Sequence, residues 1–325
     1  MPRFRHDLLA RARRAVLLVA AGVAAAFATP ASARPQQPAS ATPAPPAPPT
    51  YSLEAHEAFR ARLEGVSNPT QRAERLAEVA LVERPGGELQ QMVDAALNDE
   101  ILDAKGALRR IFLTGDEAAR VGVMQLYGRH WRNTLGVGFE PAFIDTVRRG
   151  LEDPRPRVRQ ATIAFTAANH VPRIANFLID AAEADPNLTL GALLSIEQSR
   201  DPIGARWVAG KLADPDPAIR DAARLASVPM GRQAAFHLRV MADSPDPKTR
   251  WAGIEGLLAV AGADDRDFLA NWLEKDAAAP RTLRDAVVSA LAELEIGTYT
   301  PSLPPRPPLT FAPVGRRKPT LPMPS

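Results

Sequence analysis

One four-residue phrase recurs along this chain and sets its period: Val158-Arg159-Gln160-Ala161, Ile219-Arg220-Asp221-Ala222, Thr249-Arg250-Trp251-Ala252 and Leu283-Arg284-Asp285-Ala286. Three of the four copies follow a proline turn, at Asp153-Pro-Arg-Pro156, Asp214-Pro-Asp-Pro217 and Pro245-Asp-Pro247. The arginines lie 61, 30 and 34 residues apart, and the first gap spans two periods. The missing copy falls near residue 190, where Asp185-Pro186-Asn-Leu-Thr-Leu190-Gly191 keeps the turn and the apolar residue without the arginine. A degenerate copy, Arg120-Val121-Gly122, begins 39 residues before Arg159. Self-similarity at such a period marks stacked supersecondary units, each burying its apolar face only against its neighbours.

The residue types make those units helical. Proline is tolerated in the first turn of a helix, where its missing N–H has no intrahelical partner in any case. An aspartate ahead of it can cap the helix and suits the positive end of the dipole. The apolar residue and the alanine three positions later share one face, and the alanine admits a neighbouring helix closely. Elsewhere apolar residues recur at three and four, as in Phe143, Ile144, Val147 and Leu151, or Phe268, Leu269, Trp272 and Leu273. There is no sustained alternation and no Asn-Gly turn to suggest strands. The expected fold is all-α, a solenoid of stacked antiparallel helix pairs with a period of about 30 residues.

The Asp-Pro-x-Pro-x-[Val/Ile]-Arg-x-Ala spacing resembles the HEAT-like repeats first grouped with phycobilisome lyases. The resemblance covers about 141–296 as five helix pairs and weakens over 51–140, which reads as degenerate repeats or a cap. It implies a ladder in which turn aspartates and second-helix arginines hydrogen-bond between successive repeats. Asp153 with Arg159 and Asp214 with Arg220 would be rungs, and Arg250 and Arg284 occupy the equivalent arginine positions. The third copy departs, because Ser244 stands where the aspartate belongs, and Asp276 lies eight residues before Arg284.

The ends differ from the body. Arg3, Arg5, Arg11, Arg13 and Arg14 precede an apolar run from Ala15 to Ala28, and Ala31-Ser32-Ala33 follows, the three-part pattern of a secretory signal. Cleavage after Ala33 would give an exported protein, periplasmic or secreted; an uncleaved signal would make an inner-membrane-anchored adaptor, the one route to a membrane. Arg13-Arg14 leaves twin-arginine export open beside the general route. Residues 34–50 hold seven prolines and read as an extended linker, whereas 297–325 hold nine prolines and no acid and read as a disordered basic tail. In that tail Pro301-Ser-Leu-Pro304-Pro305-Arg306 has the spacing of a proline-rich ligand, a match that proline-rich tails also generate by chance. These ends carry the excess positive charge. The whole chain is +3, but residues 51–296 hold 30 basic against 36 acidic residues. A body of about −6 argues against nucleic acid as a partner. There is no cysteine, so disulfides and a lipidated cysteine are excluded.

Signals of chemistry are sparse. Beyond the leader the histidines are His56, His130, His170 and His237, none paired at metal-ligand spacing, so no metal is expected. No nucleophile elbow, phosphate loop or dinucleotide fingerprint occurs, and no cofactor or catalytic residue is assigned. A lyase-type enzyme or chaperone-like modifier rests on the repeat resemblance alone, which is fold-level analogy. The leading expectation is a non-catalytic scaffold that binds a protein or peptide on the concave, second-helix surface. In the recurring phrase the residue between Arg and Ala points away from the buried face, and it is polar in every copy except Trp251. Trp251 is therefore either an interface anchor or a wedge against the next repeat, with Asp221, Arg224, Glu255 and Asp285 forming a mixed, mostly acidic rim. The anchor reading predicts that Trp251→Ala loses the partner without lowering stability. Trp207 and Trp272 fall on first-helix apolar stripes and are expected in the core, with Trp131.

Overall fold

A computed structural model describes residues 50–83, 87–130 and 140–309. The expected signal sequence, nearly all of the expected 34–50 linker, Trp131 and the end of the tail lie outside these residues. Among the described residues there are fifteen helices and no strand. They are α1 (Leu53–Arg62), α2 (Pro69–Val82), α3 (Glu88–Glu100), α4 (Lys105–Thr114), α5 (Glu117–His130), α6 (Pro141–Leu151), α7 (Pro156–Ala168) and α8 (Ala175–Ala184). Then follow α9 (Thr189–Ser199), α10 (Ala205–Lys211), α11 (Pro217–Ser227), α12 (Arg232–Ala242), α13 (Pro247–Val260), α14 (Arg266–Lys275) and α15 (Arg281–Ile296). No helix among the described residues is long and apolar enough to cross a membrane.

Consecutive helices pack as neighbouring pairs, α2 with α3 through to α14 with α15. The second helix of each pair packs on the second helix of the next, from α5 through α7, α9, α11 and α13 to α15. This arrangement is compatible with a helical-repeat solenoid. It continues into the N-terminal third, where α2 packs on α4 and α1 covers α3. Buried side chains from both helices of each pair form one continuous core, including Phe112, Met124, Phe143, Ile163 and Leu178. Tyr127 meets Phe143 edge-on at 5.0 Å, joining α5 to α6. Each such fully buried large side chain contributes about 1.5–3 kcal/mol relative to exposure. The phrase alanines follow the stack: Ala222 and Ala252 are buried, while Ala286 on the last helix is exposed because no further pair covers it.

The proline turns use their aspartates differently from the sequence expectation. The helices begin at the second proline, and the residue just before it is the cap: Asp216 accepts from Ala218 N at 2.8 Å and Asp246 from Thr249 N at 2.9 Å. The leading aspartates instead fold the turn upstream of the helix. Asp153, Asp185, Asp201 and Asp214 each accept the backbone N–H two residues on, at 3.0, 3.2, 3.1 and 3.0 Å. Ser244 Oγ takes the same role for Asp246 N at 3.3 Å.

Of the segment expected to be a disordered tail, the structure describes residues 297–309, and these lie against the body. Gly297 ends the helix in the left-handed conformation, φ 72°, and residues 298–309 run back over the second helices in an extended, non-helical form. Tyr299 and Arg306 bond to those helices, and Leu309 packs against the core.

Candidate functional site

The second-helix arginines are built into the scaffold. Arg159 Nη1 donates to the carbonyls of Asp153 and Pro154 at 2.9 and 3.1 Å. Arg220 repeats this on Asp214 and Pro215 at 2.8 and 2.9 Å, and Arg250 on Ser244 and Pro245 at 2.9 and 3.3 Å. Each guanidinium thus clamps the two carbonyls six and five residues earlier, which the proline turn leaves without helical partners. Arg284 reaches the Asp276 carbonyl at 2.7 Å from the longer spacing.

The carboxylate bonds run to the following turn. Arg120 donates to Asp153 at 3.0 Å, Arg159 to Asp185 at 2.7 Å and Arg250 to Asp276 at 2.7 Å. In the expected rungs Asp153–Arg159 and Asp214–Arg220, each arginine bonds to its aspartate through the backbone carbonyl and not the carboxylate. Asp153 is held from below by Arg120 and alongside by Arg155, whose Nη2 lies 2.7 Å away. No arginine stands at Leu190 to reach Asp214, and Ser244 offers Arg220 no carboxylate. The hydrogen bond from Arg159 holds the Asp185 carboxyl below its usual range, and that from Arg250 does the same for Asp276. For Asp153, burial pushes upward but is outweighed by the hydrogen bonds and charges of Arg155 and Arg120, so its net shift is also downward.

Trp251 belongs to this ladder. Its indole N–H donates to Asp276 at 3.0 Å, the carboxylate that Arg250 also holds, and its ring is half-buried against the core. Of the two readings of Trp251, this bond fits the wedge against the next helix pair, since Asp276 lies in the turn between α14 and α15. Trp251→Ala is expected to destabilise the fold by about 2 kcal/mol through lost packing and a vacated bond to Asp276. A urea denaturation midpoint unchanged from the parent chain would return the ring to the surface. Of the expected rim, Glu255 stands one helical turn on from it along α13. Arg224 pairs with Glu255 at 3.5 Å, joining α11 to α13; Asp285 pairs with Arg281 of its own helix at 3.6 Å and is 70 % exposed; Asp221 is half-buried on α11. Such exposed pairs contribute about 0–1 kcal/mol.

The other tryptophans divide. Trp272 is buried as expected, at 5 % exposure. Trp207 is only half-buried: its N–H donates to Glu183 at 2.6 Å and the Lys211 amine lies 5.0 Å from its ring. It borders an open groove of about 510 Å³ between α8 and α10, and a second of about 560 Å³ lies between α6 and α8 beside Arg148, Arg173 and Phe177. Neither groove gathers histidines, and no group of three or more metal-ligating side chains occurs among the described residues. His130, buried at 3 %, bonds to Asn98 at 2.6 Å and links α5 to α3.

The feature that sequence reasoning missed is the strap over the second helices. Tyr299 OH donates to the Leu258 carbonyl in the last turn of α13. Arg306 Nη2 donates to the Ala167 carbonyl, in the last turn of α7, at 2.8 Å, and lies 3.5 Å from Glu197 Oε2 on α9. Both carbonyls are helix-end acceptors without intrahelical partners, and a cation suits the negative end of a helix dipole. The tail's Pro-x-x-Pro spacing was the available signal, but nothing in sequence could say that its acceptor was the chain itself. No family model matches the chain, and a search of curated proteins finds no significant match.

Proposed function

We propose that the chain is an exported, non-catalytic scaffold of HEAT-like helix pairs whose second-helix face binds a protein or peptide in extended form. The observation that carries this reading is that the face already holds an extended segment through side chains, at Leu258, Ala167 and the core beside Gly191. Stacked helix pairs offer long surfaces of this kind, because each pair contacts only its neighbours. Glu197 and the helix-end carbonyls of Leu258 and Ala167, which the strap engages, are the contact points of choice. Export follows from the three-part leader, with processing before Arg34.

The test compares partner recovery by the full chain and by Glu197→Arg from an exported fraction. A defined partner should be lost by Glu197→Arg while helical content and melting stay unchanged. Recovery indifferent to Glu197→Arg and to Leu258→Arg would remove the second-helix face from the function. Sequencing the mature N-terminus checks localisation, and a protein retaining Met1 would replace export with anchoring.

A further inference from the structure

The strap has a period, and that period identifies what the face reads. Between Pro301 and Leu309 the half-buried residues are Pro301, Pro304, Pro307 and Leu309, while Ser302, Leu303, Pro305, Arg306 and Pro308 are exposed. Every third residue through Pro307 turns toward the body. Three residues per turn is the repeat of a polyproline helix, which carries no internal hydrogen bonds and rises about 3.1 Å per residue. The seven steps from Tyr299 to Arg306 then span about 22 Å. Second helices packed 8–10 Å apart place α13 and the α7–α9 pair about two to three spacings apart. The segment is long enough to bridge them without helix or strand.

Its ends are fixed by specific chemistry. The Tyr299 hydroxyl, half-desolvated with its pKa raised first by burial and then by Glu293, donates to a helix-end carbonyl. Arg306 donates to a second helix-end carbonyl and faces Glu197, whose Oε2 is buried and makes no hydrogen bond. Leu309 Cδ1 lies 3.4 Å from where a Cβ on Gly191 would stand, in the contact range beside a glycine whose own space is filled by Ile163. Five of the nine residues from Pro301 to Leu309 are prolines without a backbone donor, so recognition rests on side chains and ring faces rather than on strand pairing.

We infer that the second-helix face is a reader of extended, proline-rich peptides with the pattern Pro-x-x-Pro-x-Arg-Pro, and that residues 298–309 occupy it in cis until such a segment of a partner displaces them. This rests on the reading of that face as the binding surface. A preorganised polyproline ligand loses little conformational freedom on docking, so a partner presenting the same pattern competes at low cost. Tethering gives the cis strap a high effective concentration, so free ligand binds weakly while the strap is seated. The chain holds a second segment of the same period, Pro43, Pro46 and Pro49, with Pro48 at the arginine position.

The test uses the full chain carrying Tyr299→Ala, Arg306→Ala and Leu309→Ala, and a fluorescent peptide of residues 298–309. Peptide anisotropy should show at least tenfold tighter binding to this released chain than to the parent chain. Glu197→Arg in the released chain, or Arg306→Glu in the peptide, should each weaken binding at least tenfold. A peptide of residues 43–50 should bind more weakly than 298–309, for want of the arginine. Arg306→Glu alone in the full chain serves as the second release variant if the triple substitution loses helical signal. Equal affinity of parent and released chains, or binding indifferent to Glu197→Arg, overturns the inference. A partner that depends on Glu197 yet is not displaced by excess peptide also overturns it, and leaves the face standing as a binding surface of another specificity.

Discussion

Replacing Asp276 with alanine should cost about 3 kcal/mol, because one carboxylate joins two helix pairs through two donors. Asp276 is 7 % exposed and accepts from Arg250 Nε at 2.7 Å and from Trp251 Nε1 at 3.0 Å. Its removal leaves a guanidinium N–H and an indole N–H facing a low-dielectric seam without acceptors. Since the helices pack chiefly on adjacent pairs, the damage should be local. Hydrogen exchange should accelerate in α14 and α15 far more than in α6–α9, and uniform acceleration along the chain would contradict a nearest-neighbour rung. The same carboxylates contribute to the acid limit, beside Asp145, whose pKa Arg148 and Arg149 hold down to about 2. Asp276 and Asp185 are depressed first by their arginine hydrogen bonds, and Asp153 is depressed in spite of its burial. A group whose folded pKa lies below the unfolded value of about 3.9 stabilises the fold above that pH, and its contribution is lost as pH falls through the folded pKa. Stability should therefore be flat from neutral pH down to about 5 and fall below about pH 4. Asp276→Asn should flatten part of that fall, and an unchanged acid limb would remove Asp276 from it.

Gly253→Ala is expected to destabilise by about 3 kcal/mol despite the substitution favouring an isolated helix by about 1 kcal/mol. A Cβ on Gly253 would stand 2.6 Å from Ala242 N, 2.9 Å from Leu238 O and 2.9 Å from Met241 Cβ. Two of these are backbone atoms of α12, so relief requires moving a whole helix. Gly256, one turn on, gives the contrast: its Cβ would meet Leu212 Cδ1 at 2.4 Å and Leu238 Cδ2 at 2.7 Å, both flexible side-chain ends. Gly256→Ala should therefore cost less than Gly253→Ala in urea denaturation, and the reverse order would show that α12 and α13 can part readily.

Both effects arise where the sequence was only partly legible. The recurring phrase makes Arg250 a repeat residue, but it pairs that arginine with its own turn. In the structure the guanidinium holds its own turn by carbonyls and the next turn by a carboxylate, because the stacking places turn and helix of adjacent pairs side by side. Gly253 carried no signal at all. The corresponding positions in the other copies are Thr162, Ala223 and Val287, so the period permits side chains that this one crossing does not. Trp251 read as outward because Gln160, Asp221 and Asp285 are polar there, and the face alone could not reveal an acceptor waiting 25 residues later.

By itself the sequence determined what local chemistry fixes. That includes helices between proline turns, the period of the pairs, the histidine spacings that favour no metal, the leader pattern, and a body more acidic than its ends. These follow from periodicity and residue type, which act within a few residues. The tertiary structure decided every long-range partner. It determined which aspartate each arginine meets, where Trp251 places its N–H, how closely α12 and α13 approach, and that residues 298–309 lie along the second helices. Those outcomes depend on which ends are brought together by stacking, and a chain's spacing does not record that until its helices have packed.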